Sequence, residues 1–142
     1  MLSQFKKLGL AIFNCAIIGA FSAQAQNDGP KVIAVLTKAS WCPVCQANGP
    51  RFKKDIMPMV MSNKDVKMVA IDRTNAKTIE ASKEMLGKVG VPLSFMDTHE
   101  ATGMLYFLNA ANKKVITSVS VANPNMQIEM VFKKALQLAS ED

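Results

Sequence analysis

Val32-Ile33-Ala34-Val35-Leu36 is an unbroken apolar run, the pattern of a strand covered on both faces. Val66 to Ile71, apolar apart from Lys67, is a second apolar strand, closed by Asp72. Met104 to Leu108 and Val115 to Val121 read as two further strands, and the turn-forming stretch Asn109 to Lys113 between them predicts an antiparallel hairpin. Helical spacing lies between these runs. A helix is expected from near Pro43 through Phe52 and Ile56, kinked at Gly49-Pro50 and ended or broken at Pro58. Thr78 to Val89 brings Ile79, Met85, Leu86 and Val89 near one face. Asn123-Pro124 opens the last helix, with Asn123 as N-cap and Pro124 at the first helical position. Met126, Met130, Val131, Ala135 and Leu138 form its expected buried stripe. Gly90 to Gly103 has no clear period. The order is strand, helix, strand, helix, hairpin, helix. It predicts an α/β domain: a central mixed sheet with helices on both faces.

The first residues have a different character. Lys6 and Lys7 precede an apolar stretch, Leu8 to Phe21, and Ala23-Gln24-Ala25 then gives a small-x-small cleavage pattern. The stretch is short for a hydrocarbon core of roughly 30 Å. Residues 1–25 are therefore expected to be a cleavable signal peptide, and 26–142 the domain, in a periplasmic or secreted protein. Cys15 falls inside the leader. Its removal takes two lysines and no acids, so the net charge falls from +6 to +4. The remaining basic residues (Lys53-Lys54, Lys113-Lys114, Lys133-Lys134) are scattered among acids, and aromatics are few. That is a solvated surface, without the clustered basic footprint of a nucleic-acid binder.

The mature chain keeps two cysteines, both in Trp41-Cys42-Pro43-Val44-Cys45. This spacing lets two sulfurs close as a disulfide or part as a dithiol with little backbone motion. A helix start beside them favours a thiolate, because unpaired amide N–H groups and the helix dipole stabilise negative charge. A bridge closing so short a loop removes little chain entropy, which argues against a purely structural staple.

The motif after the first central strand, Pro50 five residues beyond Cys45, and Asp72 at the end of the second strand resemble the thioredoxin-like superfamily across essentially the whole mature chain. The resemblance implies a thioredoxin-like fold and thiol–disulfide exchange carried by Cys42 and Cys45, with no cofactor and no metal. It implies protein thiols and disulfides as partners, a monomer, and Trp41, Pro43, Val44 and Thr102 as substrate-facing residues. Cys42 would be the nucleophile and Cys45 the resolving thiol.

The sequence departs from that family in three ways. Leu36 stands where a buried Asp assists proton transfer to the second cysteine, and Met68 where a lysine often accompanies it. The dipeptide between the sulfurs is Pro-Val, with no His to stabilise a thiolate, which favours a reductant over an oxidant. The substrate-facing cis-proline has two candidate positions: Pro92 in Gly90-Val91-Pro92, and Thr102, counted back from the final hairpin and helix. On the second, Pro92 begins an inserted helical turn containing Phe95 and Met96. Lys38, where an aromatic is common, is expected as a solvated lysine near Cys42. His99, the single histidine, lies in the polar stretch Asp97-Thr98-His99-Glu100 and is expected at the surface. Met57, Met59 and Met61 alternate. Soft thioethers with the two thiols can bind Cu(I), so a Cu(I) carrier is one alternative function; poor helical spacing favours core or loop filler instead. A low-turnover interaction module is the other.

Overall fold

The computed structural model describes residues 28–141. The expected leader, with Cys15 and the cleavage pattern, lies outside them. Among the described residues no helix is long and apolar enough to cross a membrane. The chain runs β1 (Val32–Lys38), α1 (Pro43–Arg51), a π-helical segment (Phe52–Ile56), α2 (Met57–Met61), β2 (Val66–Asp72) and α3 (Ala76–Lys88). It continues through α4 (Ser94–Thr98), β3 (Met104–Asn109), β4 (Val115–Ser120) and α5 (Asn125–Ala139).

The sheet has the order β2-β1-β3-β4. β1 is parallel to β2, in register from Val32↔Val66 to Lys38↔Asp72, and antiparallel to β3, from Val32↔Asn109 to Thr37↔Met104. β3 and β4 form the expected antiparallel hairpin, with an irregularity at Phe107/Leu108. The unbroken apolar run of β1 follows from its central place. Val32, Ala34 and Leu36 face a core shared with Phe52, Ile56, Phe107, Ile128 and Phe132, under α1, α2 and α5. Ile33 and Val35 face a second core with Ile71, Leu86, Phe95 and Leu108, under α3 and α4. Helices thus cover both faces, as the pattern predicts.

Four expectations need correction. Pro58 does not break the helix: Met57 N–H reaches back five residues to Phe52 O, and the widened π turn lets the helical run pass Pro58 to Met61. A proline ring normally collides with the carbonyl four residues back and leaves it without a donor. On α3 the buried positions are Ser82 and Leu86, while Met85 is exposed. Ser82 tolerates burial because its hydroxyl donates to Thr78 O (2.7 Å) and accepts Asp72 N–H (2.8 Å). On α5, Pro124 rather than Asn123 occupies the N-cap position, with no side-chain cap. Asn123 N–H instead closes the turn after β4 on Ser120 O. The buried stripe there is Ile128, Phe132 and Ala135, with Val131 and Leu138 partly covered; Met126 and Met130 are exposed. At roughly 100° per residue, Met126 and Met130 lie about 200° round from Ile128, on the solvent side.

The stretch without a clear period contains the inserted helical turn. Gly90, at φ +71°, turns the chain out of α3, Phe95 N–H donates to Pro92 O, and Phe95 and Met96 are buried in the second core. The two faces of α5 should respond differently to truncation. Ile128→Ala is expected to cost about 3 kcal/mol and Met130→Ala less than about 0.5 kcal/mol, read by denaturant unfolding.

Candidate active site

β1 delivers the chain to the motif at the C-terminal edge of the sheet. Cys42 N–H closes a turn on Ala39 O (3.2 Å), and α1 starts at Pro43, whose missing N–H would have had no helical partner. Cys42 is itself the N-cap: its Sγ accepts Cys45 N–H at 3.1 Å. Both thiols are free; Cys42 is buried, at 2% exposure, and Cys45 is partly exposed.

Their proton affinities are pushed apart. Burial pushes the Cys42 thiol up, but hydrogen bonds from the Cys45 thiol, the Thr102 hydroxyl and the backbone N–H groups of Cys45 and Val44 outweigh it, and the net shift is down. Burial pushes the Cys45 thiol up, and its hydrogen bond to the Cys42 sulfur adds to that. When the reduced pair loses a proton, Cys42 is therefore the thiol that gives it up and Cys45 the one that keeps it.

A clamp from β1 places Thr102. The buried Thr37 hydroxyl donates to Ala101 O (2.7 Å) and accepts Met104 N–H (3.2 Å), while Thr37 O accepts Gly103 N–H (2.7 Å). Gly103 sits at φ +76°, and a Cβ there would lie 2.8 Å from Val44 Cγ1, so only glycine fits under the motif. Of the two candidate positions for the family's proline, Thr102 is the one against the sulfur. Pro92 is exposed at the start of the α4 turn. All peptide bonds among the described residues are trans.

A second set of bonds holds the other side of the motif. Lys38 is not simply solvated: its Nζ lies 2.5 Å from Asp72 Oδ2. Asp72 Oδ1 accepts the N–H and hydroxyl of Thr74, and Thr74 Oγ1 accepts Ser40 N–H (2.9 Å). Burial raises the Asp72 carboxyl, but Lys38 and Thr74 prevail and hold it at about 2. Trp41 is no core aromatic: it is 58% exposed, with Nε1–H donating to Arg73 O (3.3 Å). Pro43 and Val44 are also exposed.

Leu36, in the place of the family's acid, is buried, and Met68 packs against the same core. Beside Cys45 lies a cavity of about 340 Å³ walled by Leu36, Phe52, Met57 and Val121. The alternating methionines do not converge: Met57 faces this cavity, Met59 packs on the core and Met61 is exposed. Among the described residues no group of three or more His, Cys, Asp or Glu is placed to hold a metal ion. His99 is not a plain surface residue. Its ring stacks on Phe95 (centroids 4.1 Å apart) and meets the edge of Tyr106 (4.8 Å).

A β2-β1-β3-β4 sheet with a Cys-x-x-Cys helix leaving its central parallel strand decides the architecture. The fold is thioredoxin-like. No family model matches the chain, and no curated protein does. Solved structures similar to this thioredoxin-like chain include thioredoxin of Malassezia sympodialis, at 20% identity and TM-score 0.45, covering 76% of this chain and 80% of that one. Others are mitochondrial thioredoxin 3 of Saccharomyces cerevisiae (15%, TM-score 0.43, 73% and 79%) and Fasciola hepatica thioredoxin (18%, 0.43, 75% and 83%).

Thr37 and the Lys38–Asp72–Thr74 chain escape a reading of the sequence alone. Thr37 carries only the faint signal of a hydroxyl ending an apolar run. Two measurements test these contacts. Thr102→Val removes a hydrogen bond to the Cys42 sulfur and should raise its alkylation midpoint by about one pH unit, followed by iodoacetamide labelling and peptide mass. A depressed carboxyl contributes fully above its unfolded value near 4 and loses that contribution as pH falls through its folded value. Asp72→Asn is thus expected to cost about 1–2 kcal/mol at pH 7, discounted for the half-exposed lysine. The gap to wild type should close between about pH 4 and pH 2 in denaturant unfolding.

Proposed function

We propose that this chain is an exported thiol–disulfide oxidoreductase acting on protein substrates, with Cys42 as nucleophile and Cys45 as resolving thiol. The observation that carries it is a pair of free thiols one helical turn apart at a helix start, where the Cys42 sulfur caps α1 by accepting Cys45 N–H; the proton affinity of Cys42 is lowered and that of Cys45 raised. Cys42 thiolate attacks one sulfur of a substrate disulfide, the S–S bond breaks, and the departing substrate thiolate takes a proton. Cys45 then gives its proton to water, since Leu36 offers no acid, and attacks the Cys42 sulfur. The Cys42–Cys45 bond forms, the mixed disulfide between Cys42 and substrate breaks, and the second substrate thiolate leaves; the two electrons the substrate gains are those given up by the two cysteine thiols. Run backwards, the same steps oxidise a dithiol. Trp41, Pro43, Val44 and Thr102 surround Cys42 and form the surface for substrate. The absence of a histidine between the sulfurs supports the reducing direction, and the leader supports export to the periplasm or beyond. No cofactor takes part, and the working unit is a monomer.

Cys45→Ser should arrest the exchange after its first step and accumulate mixed disulfides with partner proteins through Cys42, and Cys42→Ser should abolish insulin reduction by the wild-type route. Failure to form adducts, with stoichiometric Cu(I) uptake instead, would support the carrier. A reduction potential as high as the glutathione range would overturn the reducing direction. N-terminal sequencing of the exported protein should begin at Gln26.

A further inference from the structure

Arg73 follows the carboxylate that closes β2, and its main chain is committed to the site. Its N–H donates to Lys38 O (2.8 Å) at the end of β1, and its carbonyl accepts the Trp41 Nε1–H. Its side chain reaches the α4 turn. Nη2 donates to Met96 O and to His99 O (3.2 Å). These carbonyls stand at the C-terminal end of α4, where a helix has no N–H groups of its own left to offer. A helix of five residues does not hold itself together. Phe95 and Met96 bury one face of it in the second core, and Arg73 fixes its exit.

That exit leads to the sulfurs. Glu100 and Ala101 are exposed and belong to no helix or strand, and Thr102 follows them. Thr37 holds this loop from the far side, through Ala101 O, Gly103 N–H and Met104 N–H. Arg73 holds it from the near side, through His99 O. Gly103 lies directly beneath Val44, so the loop runs against the motif itself. The arginine is costly where it lies. Its Nε is buried and has no hydrogen-bond partner among the described residues, and an unpaired buried donor is destabilising. A lysine would carry no such donor, but it lacks the rigid plane that aims one nitrogen at two carbonyls.

We propose that Arg73 is a positioning residue, which grips the end of α4 and thereby holds Thr102 against Cys42. This rests on the reading of Cys42 as the attacking sulfur. It adds a residue outside the motif that governs how firmly that sulfur is hydrogen-bonded. With the grip gone, the loop is tethered at one end, and the Thr102 hydroxyl spends part of its time away from the sulfur.

The test measures the pH midpoint of Cys42 alkylation by iodoacetamide in reduced full-length protein, read by peptide mass. Arg73→Ala should raise that midpoint by about half a pH unit, which slows alkylation about threefold below it. In a Thr102→Val background the same substitution should have little further effect, because the hydrogen bond it serves is already gone. Arg73→Lys keeps the charge and loses the planar fork. It should raise the midpoint by a smaller amount, and it serves where the alanine variant does not fold. Ile128→Ala, which weakens the domain away from this loop, should leave the midpoint in place. Wild-type midpoints in the Arg73 variants overturn the inference. Equal shifts in both Thr102 backgrounds also overturn it, since the charge would then act on the sulfur directly. A shift in Ile128→Ala as large as that in Arg73→Ala overturns it as well. Failure of the wild-type protein to form a Cys42–Cys45 disulfide on oxidation overturns the reading of the pair instead, and the midpoints still decide the role of Arg73.

Discussion

The hydroxyl of Thr37 is the joint on which the site depends. It sits at the end of the central strand, buried, and spends its donor on Ala101 O and an acceptor pair on Met104 N–H. Those bonds fix the entry to β3, and with it the two residues between. Thr102 is brought to the Cys42 sulfur, and Gly103 is pressed beneath Val44 closely enough to exclude any Cβ. A buried hydroxyl without partners would be costly, so the clamp is enforced by desolvation as much as by the bonds themselves. The chemistry of Cys42 thus depends on a strand end that never touches it.

Behind the motif, the chain replaces charge with volume. Leu36 is buried and Met68 packs on the same core, so neither brings an ionisable group, or its desolvation cost, to the back of the motif. What carboxylate the region retains stands at the strand's end, in Asp72, where Lys38 and Thr74 hold it ionised and solvent reaches it. The asymmetry between the thiols therefore owes little to ionised side chains. It comes from which sulfur receives hydrogen bonds and which is desolvated without enough of them.

Much of this was legible in the sequence. The continuous apolar run at 32–36 is the central strand, covered on both faces. Val66 to Ile71, interrupted by the exposed Lys67, is the edge strand beside it, and the motif's position after the first of them located the site. The misreadings share a cause: neighbours that periodicity does not see. Pro58 ought to stop a helix, but a π turn absorbs it. Met85 has helical spacing with Val89, but Ser82 takes the inner place because Asp72 N–H needs an acceptor. Met126 and Met130 are apolar but fall on the wrong side of the face that Ile128 and Phe132 set. His99 looks solvated among Asp97, Thr98 and Glu100, but the α4 turn swings its ring onto Phe95 and Tyr106. Thr102 and Pro92 were both open, since a loop's path depends on contacts such as those of Thr37, which leave little trace in composition.

The indole of Trp41 is pinned at its nitrogen to the Arg73 carbonyl, one residue from Cys42, and the chain has no other tryptophan. Sulfur oxidation state strongly affects the emission of an adjacent indole. With the ring tethered, a change in fluorescence reports on the sulfurs rather than on rotation of the side chain. The molecule therefore carries an intrinsic optical gauge of its own electron count, readable in real time and without a label.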